Sequence, residues 1–207
     1  MKETSDHLKD LQEIRSLMER SSRFISLSGL SGIVAGLFAL IGAAVAYWYL
    51  DMKLNGRNDY LYRLSEREFY TFFFADAAIV LFLALSAGVF FTVRQAKRKQ
   101  QKIWDKTSKR LLLNMAIPLA AGGYFCLVLL FNGVVGLIAP ATLIFYGLAL
   151  LNASKFTLED VRYLAFCEIG LGMVNTLYTG YGLLFWAVGF GVLHIVYGTV
   201  MYFKYEK

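Results

Sequence analysis

The sequence is short of charge, cysteine, histidine and proline. Only 17% of its 207 residues are Asp, Glu, Lys or Arg, against about 25% in an average soluble domain. So little charge beside so much apolar character excludes a disordered chain and argues against an ordinary soluble enzyme. The two cysteines, Cys126 and Cys167, form no spacing motif. They fall at different depths of different expected helices, so neither a disulfide nor a zinc site is supported. Of the two histidines, His7 and His194, the first lies in a charged stretch. That argues against a bis-histidine haem inside a membrane. There is no G-x-x-x-x-G-K-S/T, no H-E-x-x-H and no cysteine cluster. ATP-driven chemistry, zinc proteolysis and iron–sulfur work therefore lack support, and neither cofactor nor metal is expected.

What the chain has is apolar length. Hydrophobic residues make up 57% and the mean hydropathy is +0.52. This points to one all-α, polytopic integral membrane domain. Residues 24–50 contain no charge, and that run of 27 exceeds the roughly 20 needed to cross a bilayer. Ala44-Val45-Ala46 imitates a signal-peptidase site, but the apolar run before it is too long, so an uncleaved signal anchor is expected. Further spans are expected over 69–93, 111–131, 134–151, 161–179 and 183–203, which gives a bundle of six transmembrane helices. Asn55-Gly56, Asn132-Gly133 and Gly180-Tyr181-Gly182 are turn signals. Ser65 with Glu68, and Thr157 with Asp160, have the shape of capping boxes. Residues 1–23 place Leu8, Leu11, Ile14, Leu17 and Met18 at helical spacing between charges. They read as an amphipathic helix on the cytoplasmic membrane surface, or as a helix for a cytoplasmic protein partner.

Six spans put both termini on one side, and the basic residues choose which. With the N-terminus inside, 17 of the 21 Lys and Arg face the cytoplasm, eight of them in the 94–110 linker. The remaining four lie in the outer loop 51–68. The positive-inside rule gives N-in/C-in, with 204–207 as a cytoplasmic tail. In a bacterium the compartment would be the inner (plasma) membrane. The formal charge of +6 then reads as loop charge facing anionic lipid headgroups, and no nucleic acid is expected.

Small residues recur at helical spacing in the first span (Ser28, Gly32, Ala35, Ala39, Gly42, Ala46) and the last (Ala187, Gly191, Gly198). They suit close helix packing, or a homo-oligomer seam. Pro118 and Pro140 are expected to kink the third and fourth spans.

Three ionisable residues fall within spans: Asp76, Glu168 and His194. A charge at the bilayer centre costs at least about 2.5–3.5 kcal/mol, so each needs a partner, a neutral state or water. Glu168 and His194 lie 13 residues either side of Tyr181, at the turn joining the last two spans. Equal rise puts them at similar depth. Glu168 shares a stripe with Ala165, Gly172, Asn175 and Thr179, and His194 shares one with Ala187, Gly191 and Gly198. If the stripes face one another, carboxyl and imidazole meet as a structural clasp or as a site for a proton or cation. Asn175, Asn114 and Asn132 can add polarity, although Asn132 is accounted for by its turn. Asp76 lies towards the outer face, within reach of Arg63 or Arg67, and reads as a surface pair or the outer step of an ion path.

Gly29-Leu30-Ser31-Gly32 has a GxSG shape and His194-Ile195-Val196-Tyr197-Gly198 an HxxxG shape. These pieces resemble rhomboid proteases, which pair a serine with a histidine inside the membrane. The resemblance implies an intramembrane serine hydrolase with Ser31 and His194 in contact. It covers only these two segments; the serine motif sits in the first span rather than a later one, and no upstream histidine motif accompanies it. Three readings follow: a small transporter or channel-like protein using Glu168, His194, Asn175 and Asp76; a non-catalytic scaffold or sensor subunit; and the hydrolase. No internal repeat is visible, which counts against the transporter.

Overall fold

The computed structural model describes residues 27–55, 66–100 and 103–207, and among these the architecture is helical with no strand. The amphipathic stretch 1–23, Gly56, Ser65 and Arg63 lie outside the described residues. The helices are α1 (Gly29–Asn55), α2 (Glu66–Arg98), α3 (Lys106–Phe131), α4 (Ile138–Ala153) and α5 (Asp160–Leu177). The last, α6, runs over 182–205 in three pieces: α-helical Gly182–Trp186, π-helical Ala187–Leu193 and α-helical His194–Tyr205. Five stretches are long and apolar enough to cross a membrane: Gly29–Met52, Glu68–Arg98, Lys106–Phe131, Val135–Phe156 and Thr179–Tyr205. The 18-residue α5 carries Asp160, Arg162 and Glu168, which lower its apolar content below that of its neighbours.

The ends of the helices follow from local chemistry. Asp105 caps α3, its Oδ1 accepting from Ser108 N at 2.7 Å and Ser108 Oγ at 2.8 Å. α3 ends at the Asn132-Gly133 turn, where Gly133 takes φ +72°, a conformation that favours glycine. One expectation needs correction. Pro140 sits in the first turn of α4, after the short 3-10 segment Val135–Leu137, where no intrahelical N–H bond is lost and there is no helix interior to kink. Only Pro118 lies well inside a helix. Glu159, the residue before α5, makes no side-chain cap. The Asp160 carboxylate is held by Lys204 Nζ at 2.9 Å and Tyr205 Oη at 2.6 Å.

Packing divides the described chain into two groups joined by α6. α1 packs with α2; α4 packs with both α3 and α5; α6 lies against α1 on one side and against α4 and α5 on the other. Small residues set these approaches, because in lipid close backbone contact replaces the hydrophobic drive between helices. A Cβ added to Gly32 would sit 3.1 Å from Gly198 Cα, and one on Gly36 2.6 Å from Gly191 O. The stripes of the first and last spans thus meet each other within one chain. Gly147 and Gly172 do the same between α4 and α5, against Ala165 O and Ile144 respectively.

Candidate functional site

α5 and α6 run antiparallel from the 3-10 turn Thr179–Tyr181, which brings their stripes face to face. Glu168 lies midway along α5 with 0% of its surface exposed, among Val161, Leu164, Ala165, Gly172 and Asn175, the other buried positions of that helix. His194 lies opposite at 8% exposure, the first residue after the π-helical segment. Nδ1 of His194 is 3.5 Å from Glu168 Oε1. That is longer than the usual 2.7–3.2 Å N–H···O bond, so the groups are adjacent without being bonded.

The hydrogen bonds of His194 fix its tautomer. Nδ1 lies 3.0 Å from the carbonyl oxygen of Gly189. A carbonyl only accepts, so Nδ1 carries a proton. In the neutral ring Nε2 then accepts from Tyr146 Oη, 2.7 Å away. The Gly189 carbonyl belongs to the π-helical turn; π segments are frequent at functional sites. Gly189 also sets the space around the carboxyl, since a Cβ there would lie 2.7 Å from Glu168 Oε2 and 2.5 Å from Leu143 Cδ2. Aromatic rings line one side of the imidazole: Phe190 is 6.0 Å and Tyr146 5.4 Å away, centroid to centroid, and Trp186 packs on Phe190 at 5.0 Å.

The carboxyl itself is orphaned. Neither Glu168 oxygen has a hydrogen-bond partner, and the same holds for both side-chain polar atoms of Asn175 and for Tyr197 Oη. Asn175 is also 0% exposed and lies seven residues along α5 from Glu168, about 10 Å up the helix. Leaving a buried polar group unpaired costs about 1–3 kcal/mol, and more for a charge. Three such side chains along one helix interface form a polar track whose hydrogen-bonding capacity is not used by the resting fold.

Of the other residues expected to contribute, Asp76 stands apart: it is on α2, partly exposed, with its carboxylate beside Gly42 of α1. Asn114 turns its amide to Arg110 O on its own helix at 2.8 Å, and Asn132 bonds Val128 O at 2.8 Å in its turn. Neither adds to the track. Ser31 Oγ donates to Ser28 O at 2.5 Å, while both ring nitrogens of His194 are engaged by Tyr146 and Gly189. The Ser31–His194 contact required by a hydrolase is therefore not formed. The residue missed from sequence was Tyr146. The signal was the run Leu143, Gly147, Leu150 on α4, whose Gly147 marks a close approach to α5 and puts Tyr146 beside it.

Comparison with known proteins found no matching family model, no matching curated protein and no matching solved structure. The functional reading therefore rests on the chemistry of the site. Its donors are one carboxyl, one imidazole, one amide and two phenols, and among the described residues no three His, Cys, Asp or Glu converge as a metal set. Such a group suits proton transfer: imidazole has a donor at one nitrogen and an acceptor at the other, and a carboxyl and a phenol flank it.

Proposed function

We propose that the protein is a small proton-linked transporter or channel-like membrane protein whose Glu168–His194–Tyr146 cluster takes up and releases a proton. The observation that carries this reading is the enclosed Glu168 carboxyl, fully buried, unbonded at both oxygens and 3.5 Å from a protonated imidazole nitrogen. Ionisable groups at such depth are expensive and are usually retained for function. A small movement of Glu168 towards His194 exchanges the Gly189 carbonyl for a carboxylate as the acceptor of Nδ1–H. The proton can then pass to Glu168 while Tyr146 supplies another to Nε2 and is itself reprotonated by transient water. Asn175, on the outer side of Glu168, is the polar group available for an approaching proton or water.

The same reading takes α5 as a sixth span in a bundle. α5 packs along α4, and its charges Asp160 and Arg162 are confined to one end, at the level of Lys204. N-in/C-in topology follows from the basic linker 94–110, and an inner-membrane location and anionic headgroups at that linker follow from its charge. Proton flux into proteoliposomes, driven by a potassium diffusion potential and read with an entrapped pH dye, tests the proposal. Wild type should conduct and Glu168→Gln should not; equal flux in the two would overturn it.

A second reading, a non-catalytic scaffold or sensor subunit, is favoured by α2. Its exposed residues Phe82, Leu85, Val89 and Phe90 form an apolar face that ends at Arg94 and Lys97, where lipid or a partner helix can lie. Wild-type protein without flux, together with a full loss of fold in Glu168→Gln, would favour this reading.

A further inference from the structure

Glu168 is completely enclosed, so a proton must reach it through side chains or transient water. The cytoplasmic end of the same helix pair holds a second polar cluster. Asp160 at the start of α5 accepts from Tyr205 Oη at 2.6 Å and from Lys204 Nζ at 2.9 and 3.0 Å. Asp160 and Glu168 are eight residues apart, about 12 Å along α5. Tyr197 of α6 packs against the buried cluster of Leu150, Val161, Leu164 and Ala165, and its hydroxyl is buried with no hydrogen-bond partner. Tyr146 of α4 packs against the same cluster, and Val161 at its other end is the neighbour of Asp160 in the chain.

A phenol is both donor and acceptor, so a rotating Tyr197 hydroxyl can receive a proton from one neighbour and hand one to the next. Its lack of a partner is unfavourable in a purely structural role, where phenylalanine would fill the same space without an orphaned group. The titratable groups on the elements packed about it are Tyr146 of α4, Asp160 and Glu168 of α5, and His194 and Tyr205 of α6. We propose that Tyr197 is the relay that connects the Glu168–His194–Tyr146 centre to a cytoplasmic proton-exchange site formed by Asp160 and Tyr205. In the release step, which starts from protonated Glu168 and an imidazole protonated at Nε2, Glu168 gives its proton to Nδ1, Nε2 gives its proton to Tyr146 as Tyr146 passes its own to Tyr197, and Tyr197 passes its own to the Asp160 carboxylate, which releases it to water. Every hydroxyl regains the proton that it gives, so the net change is one proton moved. Lys204 holds the Asp160 carboxylate at the helix end.

The inference rests on Glu168 being a proton-binding group, and the test separates the two. Full-length protein in lipid is subjected to a pH jump, and the Glu168 carboxyl stretch is followed by time-resolved infrared difference spectroscopy. The band is assigned by its absence in Glu168→Gln. In Tyr197→Phe the band should keep its amplitude and final position, while its rate of change falls by about tenfold or more, the scale of a lost proton-transfer group. Tyr205→Phe should slow it in the same way. Both variants keep the ring, and Tyr197→Phe removes a hydroxyl that bonds nothing, so its melting temperature should not fall. Rates within twofold of wild type in both variants would overturn the relay while leaving the centre intact. A Glu168 band that does not respond to pH in wild type would overturn the centre and the relay with it.

Discussion

Gly198→Ala tests whether the contact between α1 and α6 is what sets the position of His194. A methyl group at residue 198 would lie 2.5 Å from Gly29 O, 2.6 Å from Ile33 N and 3.0 Å from Gly32 C. Ordinary contact begins near 3.4 Å, so the two backbones must separate by about 0.9 Å. None of these atoms can be moved by a change of rotamer. Overpacking of this kind costs about 1–3 kcal/mol, and the displaced segment begins one turn from His194. The control is Gly88→Ala on α2, where an added Cβ meets nothing within 4 Å. There the gain in helix propensity should leave stability unchanged or raise it by up to about 1 kcal/mol. SDS-titrated unfolding of the purified protein in mixed micelles gives both values. A Gly198→Ala protein within about 0.5 kcal/mol of wild type, beside an unaffected Gly88→Ala, would refute the packing argument.

Tyr146→Phe strips His194 Nε2 of its 2.7 Å partner and leaves a buried nitrogen unpaired; unfolding titration should register a loss of about 1–3 kcal/mol. Asp105→Ala removes the α3 cap and should cost about 1 kcal/mol. The backbone N–H of Ser108 holds the Asp105 carboxyl below its ordinary range. Because the folded value is depressed, the cap's contribution is present above the unfolded value of about 4 and fades as pH falls through the lower folded value. Stability measured against pH should therefore lose its Asp105 component only in that acid range, and Asp105→Ala should remove that component. A Gly189→Ala substitution should leave folding largely intact, since its obstacles are the movable ends of Leu143 and Glu168, yet change proton flux by displacing the carboxyl.

Much of the fold could be read from the sequence because a bilayer imposes simple rules on length and polarity. Apolar runs marked out the long helices, and Asn132-Gly133 and the Gly180-Tyr181-Gly182 segment marked their turns. The equal spacing of Glu168 and His194 about Tyr181 was enough to pair them. Local signals failed where tertiary contacts competed with them. No local signal shows that Asp160 meets Lys204 and Tyr205, which approach from the far end of the chain. Pro140 looked internal because its run is continuously apolar, whereas the 3-10 turn before it moves the helix start. The π-helical turn at Ala187–Leu193, and with it the carbonyl that fixes the His194 tautomer, has no sequence signature. Tyr146 and Tyr197 are ordinary tyrosines within apolar runs, and only the crossing of α4, α5 and α6 gives them a place in the polar track.

The most direct measurement is the unfolding free energy of Glu168→Gln, His194→Ala and the double variant against wild type. Glu168 has no hydrogen bond to lose, so if it is held for proton exchange, Glu168→Gln should be as stable as wild type or more so, while proton flux is abolished. A loss of about 1–3 kcal/mol in each single variant, strongly coupled in the double, would instead make the pair a structural clasp and contradict a proton-binding role.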